Sequence, residues 1–169
     1  MRLSTRLPSP YRAAAFTLVE IMVVVVIIGL LAAMGLPALR RVKMRSQASA
    51  VQHDLQAFST AFITYNLQNG HWPANADPRE IPPELGSAAL TNAFTLKSPI
   101  GGYYKWNYDV SADGVDAKAA IVIIGDAGNP VSDDAELRLL IDRQLDDGNL
   151  DAGNVQVGST GSLVYILEK

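Results

Sequence analysis

Apolar positions change their pattern as the chain proceeds. From Phe16 to Leu39 there are 24 consecutive residues with one charge, Glu20. A helix of that length spans about 36 Å at ~1.5 Å per residue, enough to cross the hydrocarbon core of a bilayer. Further on the apolar residues become periodic: Ala48, Val51, Leu55, Phe58, Phe62 and Tyr65 follow one another at spacings of 3, 4, 3, 4 and 3. That is the stripe of an amphipathic helix. Asn69-Gly70 with Pro73 beyond it supplies a stop. One helix is therefore expected from about Phe16 to Asn69, about 81 Å long if unbroken, and its N-terminal half must protrude from any domain the remaining residues can build. Gly29 and Gly35 each weaken a helix by about 1 kcal/mol relative to Ala, and Pro37 removes the hydrogen bond to Ala33. A kink or local melting is expected between Gly29 and Pro37.

Beyond the helix, residues 74–99 carry Pro78, Pro82, Pro83, Gly86 and Pro99, the composition of a surface loop, with a short helix expected near Glu84 to Ala93. Tyr103 to Val110 alternates and is rich in aromatics, Lys118 to Ile124 is β-branched, and Ala112-Asp113-Gly114 between them is turn chemistry. Together they predict an antiparallel hairpin. Ser132 to Leu145 reads as a helix with Leu137, Leu140, Ile141 and Leu145 on its apolar face, and Leu163 to Leu167 as a last strand. Trp72 and His71 are expected to cap the core between helix and sheet. The fold class is α+β: a long protruding N-terminal helix packed by its second half on a small antiparallel sheet.

Charge sharpens the division. The three basic residues before the apolar block, Arg2, Arg6 and Arg12, have no acidic company, so removing residues 1–15 shifts the formal net charge from −3 to −6. An acidic chain lacks the basic face that a phosphate backbone requires, which argues against nucleic acid as a partner. With no cysteine, disulfides, thiol catalysis and thiolate metal sites are excluded. His53 and His71 stand without a nucleophile or a metal-ligand spacing, and Gly101-Gly102 lacks the Lys-Ser/Thr of a phosphate loop, so the residues support no enzyme chemistry.

A carboxylate inside an apolar span is disfavoured by roughly 2.5 to 3.5 kcal/mol at the bilayer centre and by less near its edge. Glu20 therefore needs a reason. It stands in Ala15-Phe16-Thr17-Leu18-Val19-Glu20, behind a short basic leader ending in Ala13-Ala14-Ala15 and ahead of the long apolar run. This combination resembles the cleavage and methylation segment of type IV pilins and type II secretion pseudopilins. Tyr65 to Asn69 with Gly70-His71-Trp72-Pro73 is likewise similar to the helix-to-loop junction of major pseudopilins.

The resemblance implies a leader over residues 1–15, a membrane and polymerisation segment over 16–39, and a pilin-like α+β domain outside the cytoplasm over 40–169. It implies a cut by a prepilin peptidase between Ala15 and Phe16, and methylation of the new amino group of Phe16. The sequence departs from the family at Ala15, where Gly is usual. An N-terminal ammonium is mostly charged near neutrality, so Glu20 of one subunit can neutralise the Phe16 amine of its neighbour and fix their stagger. Pro37 lies where the family carries a helix-breaking proline.

Assembly would join copies of this chain and related pilin-like subunits through an inner-membrane machine. The alternatives are an uncleaved single-pass anchor and, from another class, a membrane-tethered binding protein that never polymerises. Arg40, Arg41, Lys43 and Arg45 nearly balance the leader in the positive-inside count, so an orientation with the N-terminus cytoplasmic comes from the resemblance alone. The basic cluster reads either as a contact with headgroups or acidic neighbours, or as a solvated helix face. Major pseudopilins are also known for calcium in their C-terminal loops. Asp146, Asp147, Asn149 and Asp151 offer the oxygens such an ion takes, while the same residue types serve tight turns.

Overall fold

The computed structural model describes residues 16–86 and 88–169. The leader, with Ala15, lies outside the described residues. The chain divides into two compact units, one ending at Arg40 and one running from Arg41 to Lys169. Helix α1, Leu18–Asn69, contributes to both. Its stop is the expected one: Gly70 adopts φ +75° and its N–H donates to Asn66 O at 2.8 Å, a left-handed helix end that Gly enters without a steric penalty. The backbone stays helical through Gly29, Gly35 and Pro37, so the local melting expected there does not occur. Pro37 withholds a single N–H, and the remaining hydrogen bonds hold the turn.

In the second unit the stripe of α1 is the centre of the core. Met44, Ala48, Val51, Leu55, Phe58 and Phe62 are buried. They face a four-stranded antiparallel sheet of order β1-β2-β4-β3, with β1 Tyr103–Tyr108, β2 Ala119–Ile124, β3 Val155–Val157 and β4 Leu163–Glu168. Alternate strand residues point inward, so Tyr104 and Trp106 of β1 join Ile121 and Ile123 of β2 beneath the helix. Phe62 stacks on Trp106 at 3.9 Å between centroids, while Phe58 meets Phe94 and Tyr104 edge-on. The Tyr104 hydroxyl donates to Asp54 at 2.8 Å, and the Trp106 indole to Pro73 O at 3.1 Å. The core is thus aromatic with its polar edges satisfied.

The helix-to-sheet junction is closed by Trp72, which is buried and donates its indole N–H to Glu168. His71 does not share that role. It is exposed, its ring edge-on to Tyr65. The proline-rich segment carries a short 3-10 turn, Pro83–Leu85, then α2, Ala88–Thr95, whose Phe94 reaches the core. Helix α3, Ala135–Leu145, begins at Asp134, whose carboxylate accepts from the N–H groups of Glu136 and Leu137, the usual satisfaction of first-turn donors.

The connection between β1 and β2 is more than the tight turn the sequence suggested. Residues 109–118 fold back over the outer face of the sheet. Ala112, Val115 and Ala117 bury against Ala120, Val122, Val164 and Ile166 as a second, smaller core. Strand β2 explains why: Ala119 to Ile123 are all buried, and a strand apolar on both faces needs cover on both. Asp113, at φ +54°, locks the flap to the turn before β4. Its carboxylate accepts from Thr160 N and the hydroxyls of Ser159, Thr160 and Ser162 at 2.6 to 3.0 Å. Partial burial works against the ionised form of Asp113, but these donors outweigh it and hold the pKa below the usual range.

A chain lacking residues 1–39 should be a soluble monomer that unfolds in a single cooperative urea transition, because the core is complete from Met44 onward. Within it Phe62→Ala should lose about 3 to 5 kcal/mol. A broad, non-cooperative transition of the truncated chain would contradict the assignment of the core.

Candidate functional site

Two regions hold chemistry that the core does not consume. The first is the start of α1. Thr17 precedes the helix, and its carbonyl and hydroxyl both accept from Glu20 N, at 3.1 and 3.2 Å. Thr17-Leu18-Val19-Glu20 thus has the spacing of a capping box, with Thr17 at the cap and Glu20 three positions on. A carboxylate in the first turn also complements the positive end of the helix. The structure thus shows the Glu20 backbone N–H capped by Thr17, a helix start that the Thr-x-x-Glu spacing of the sequence also signals.

Every residue from Phe16 to Val42 is exposed within the chain, with Phe16 at 74% and Met34 at 82%. Phe16, Glu20 and Pro37 all belong to this uncovered segment. The helix that contains it is long and apolar enough to cross a membrane. Soluble monomers rarely expose a contiguous apolar surface of this extent, and by area the exposed Leu, Ile, Val and Met side chains each stand to gain about 1.5 to 3 kcal/mol on burial.

The second region is the exit of α3. Asp142, Asp146 and Asp147 each bring a carboxylate oxygen within 4.8 Å of the others. Asp142 and Asp146 are one helical turn apart, which puts both on one face. Asp142 is fully buried, its oxygens make no well-aligned hydrogen bond, and the Gly148 N–H gives them only weak relief. Burial first, then the charges of Asp146 and Asp147, push its pKa above the usual carboxylate range.

Of the four residues expected to hold an ion, the structure brings Asp146 and Asp147 together and adds Asp142. Asn149 and Asp151 take part in the turn that follows. Asn149 N donates to Asp147 at 2.9 Å and Asp151 N to Asn149 Oδ1 at 3.2 Å, while Asn154 N donates to Asp146. Gly153, at φ +82°, makes the turn possible, since a Cβ there would lie 2.0 Å from an Asp146 oxygen. A buried carboxylate with only weak hydrogen-bond relief beside two others fits a hard cation such as calcium, which takes carboxylate and carbonyl oxygens.

Residues 11–36 match the family model for the prokaryotic N-terminal methylation motif. The chain is 32% identical over 131 residues to type II secretion system core protein G of Klebsiella pneumoniae, covering 73% of this chain and 91% of that protein. It is 36% identical over 93 residues to the Escherichia coli K12 protein of the same name, covering 55% and 59%. To the type IV major pilin protein PilE1 of Neisseria gonorrhoeae it is 40% identical, but over 60 residues, 36% of each chain.

The buried, weakly satisfied Asp142 carries a pH signature. Its folded pKa lies above its unfolded one, so the folded state holds the proton more tightly. The resulting destabilisation is absent below the unfolded pKa, grows as the pH rises, and is complete above the folded pKa. In calcium-free buffer Asp142→Asn should therefore stabilise the protein by about 1 to 3 kcal/mol at neutral pH. The gain should shrink towards zero by about pH 4, near the ordinary carboxylate pKa. Urea titrations of both proteins across that range check it, and a gain that does not vary with pH would contradict it.

Proposed function

The chain belongs to the family of type II secretion pseudopilins and type IV pilins, and from that membership we propose that it is a pseudopilus subunit that polymerises through residues 16–39 once residues 1–15 are removed. The observation that carries the proposal is the wholly uncovered apolar segment of α1 with Glu20 in its first turn. Lipid covers such a helix in the waiting monomer, and the same segments of neighbouring subunits cover it in the fibre. The extent of the similarities favours a secretion pseudopilus over a pilus. The core protein G of Klebsiella pneumoniae is matched over 91% of its length and the pilin over 36%.

In the proposed mechanism the prepilin peptidase cuts after Ala15 and the amine of Phe16 is methylated. The subunit sits in the bacterial inner membrane with residues 40–169 outside the cytoplasm, until the assembly machine extracts it. The ammonium of Phe16 in one subunit then pairs with Glu20 of another. Two apolar helices can slide along each other at little energetic cost, and one buried ion pair selects a single stagger. Pro37, which leaves the Ala33 carbonyl without its helical donor, is where the helix can unwind on packing. Asp142, Asp146 and Asp147 would hold calcium and so fasten the end of α3 to the turn before β3. The ion would supply the positive charge that the three carboxylates lack.

The place of Glu20 in a capping-box spacing gives the decisive comparison. Gln serves a capping box as Glu does, but it cannot neutralise an ammonium. Glu20→Gln chains should enter the membrane and be cut to begin at Phe16, as N-terminal sequencing would show. They should nonetheless form few fibres, since removing one partner of a buried pair loses about 3 to 5 kcal/mol. Fibres of wild-type length and abundance from the Gln variant, seen by electron microscopy, would refute the pairing.

Calcium at a hundredfold excess over its dissociation constant should stabilise the wild-type protein by about 2.7 kcal/mol and leave Asp142→Asn unchanged. Thermal unfolding with and without the ion measures both. Equal shifts in the two proteins would remove Asp142 from the site.

A further inference from the structure

Immediately after the apolar segment, the second unit presents a groove of about 290 Å³ between α1 and α3. Arg41 and Arg45 are four apart on α1 and rise on one side of it. Leu139, Leu140 and Arg143 of α3 form the other side, and buried Met44 lies between. All three arginines are exposed, and Glu136 is the one acidic residue of the lining. The stem of Arg143 lies against Gly148, where a Cβ would come within 2.9 Å of Arg143 Cγ, so the turn after α3 helps to place this side chain.

We infer that this groove is a docking site for the headgroup of an anionic phospholipid. The inference rests on the membrane-anchored form proposed above. Guanidinium groups match the oxygens of a phosphodiester bidentately, which an ammonium cannot do. The apolar side chains of Met44, Leu139 and Leu140 suit the glycerol and first acyl carbons of a lipid. A freely soluble anion gains nothing from them. Position adds the third argument: Arg41 follows the last apolar residue of the span, Leu39, by two residues, where a membrane-spanning helix meets the headgroups. Binding there would hold α3, and not only α1, to the membrane surface while the subunit waits.

The test uses the full chain purified in a mild detergent, with phosphatidylglycerol or phosphatidylcholine added and the retained lipid counted by native mass spectrometry. Wild-type protein should retain phosphatidylglycerol in preference to phosphatidylcholine and to soluble glycerol phosphate. Arg143→Gln should weaken phosphatidylglycerol retention about fivefold, the worth of one arginine at a lipid surface. Arg143→Lys should recover part of it. Arg143 belongs to α3 rather than to the spanning helix, so an unspecific attraction of the juxtamembrane basic run would not depend on it. Arg45→Gln, on the exposed side of α1, provides a second variant should the α3 change disturb folding.

Equal retention of the two lipids, an equal response to glycerol phosphate, or full retention by both Gln variants would overturn the inference. If lipid preference is absent while Arg143→Gln shortens fibres, the groove receives an acidic surface of a second subunit and the lipid assignment is wrong. Loss of lipid preference in a chain that still fractionates with membranes and forms fibres refutes this inference alone. A chain found outside the membrane refutes the proposed function beneath it.

Discussion

An apolar helix segment that no other described residue covers governs the rest of this protein. Residues 16–39 offer no polar face, so water suits them poorly, and in the proposed mechanism the helix is covered by lipid or by other copies. Everything that distinguishes one cover from the other has to come from the few features that are not apolar. Glu20 is the charged one, and Gly29, Gly35 and Pro37 are the ones that loosen the backbone. From Leu18 onward the segment is helical in the single chain, which is the state a bilayer requires, since unpaired backbone groups are not tolerated in hydrocarbon. Unwinding at Pro37 belongs, in the proposed mechanism, to the packed fibre.

The second unit meets a different demand: it must be stable without help from that segment. It succeeds by placing aromatic side chains where the helix stripe crosses the sheet. Phe58 and Phe62 engage Phe94, Tyr104 and Trp106, so helix, loop and sheet share one cluster. The outer face of the sheet is closed by the flap of residues 109–118 and fastened at Asp113. Because the flap covers β2 and β4, those central strands are shielded on both faces. The edge strands are β1 and β3; Arg79 N and the Asn75 side chain bond to the outer edge of β1, and β3 is three residues long and bonded to Leu150 O through Val157 N, features that limit edge-to-edge pairing.

What could be read from the sequence follows from the range of each signal. The stripe from Ala48 to Phe62, the stop at Gly70 and the strands at Tyr103 and Ala119 rest on periodicity and local turn chemistry, and they stand in the structure. Strand β3 escaped because three residues between Gly153 and Gly158 carry no period. The flap escaped because Ala112-Asp113-Gly114 satisfies a turn by itself. The countersign was the run Ala119 to Ile124, apolar without alternation, which demands cover on both sides. His71 was placed in the core by its neighbour Trp72, yet adjacent residues at such a junction commonly face opposite ways.

Asp142 shows the same limit at the candidate ion site. The oxygen-rich stretch after α3 drew attention to Asp146, Asp147, Asn149 and Asp151, whereas the carboxylate that most lacks a partner lies a turn earlier, inside the helix. Its spacing of four from Asp146 was legible; its complete burial was not, because burial depends on how α3 meets the rest of the second unit. That helix divides its faces sharply. Leu137 and Ile141 enter the core, Leu139, Leu140 and Arg143 line the groove beside α1, and Asp142 turns to the acidic loop. A buried carboxylate with so weak a donor is tolerable only if protonation or a cation relieves it. Protonation relieves it as the pH falls, and a cation can do so at neutral pH. The placement of Asp142 thus couples the exit of α3 to the pH and cations around it.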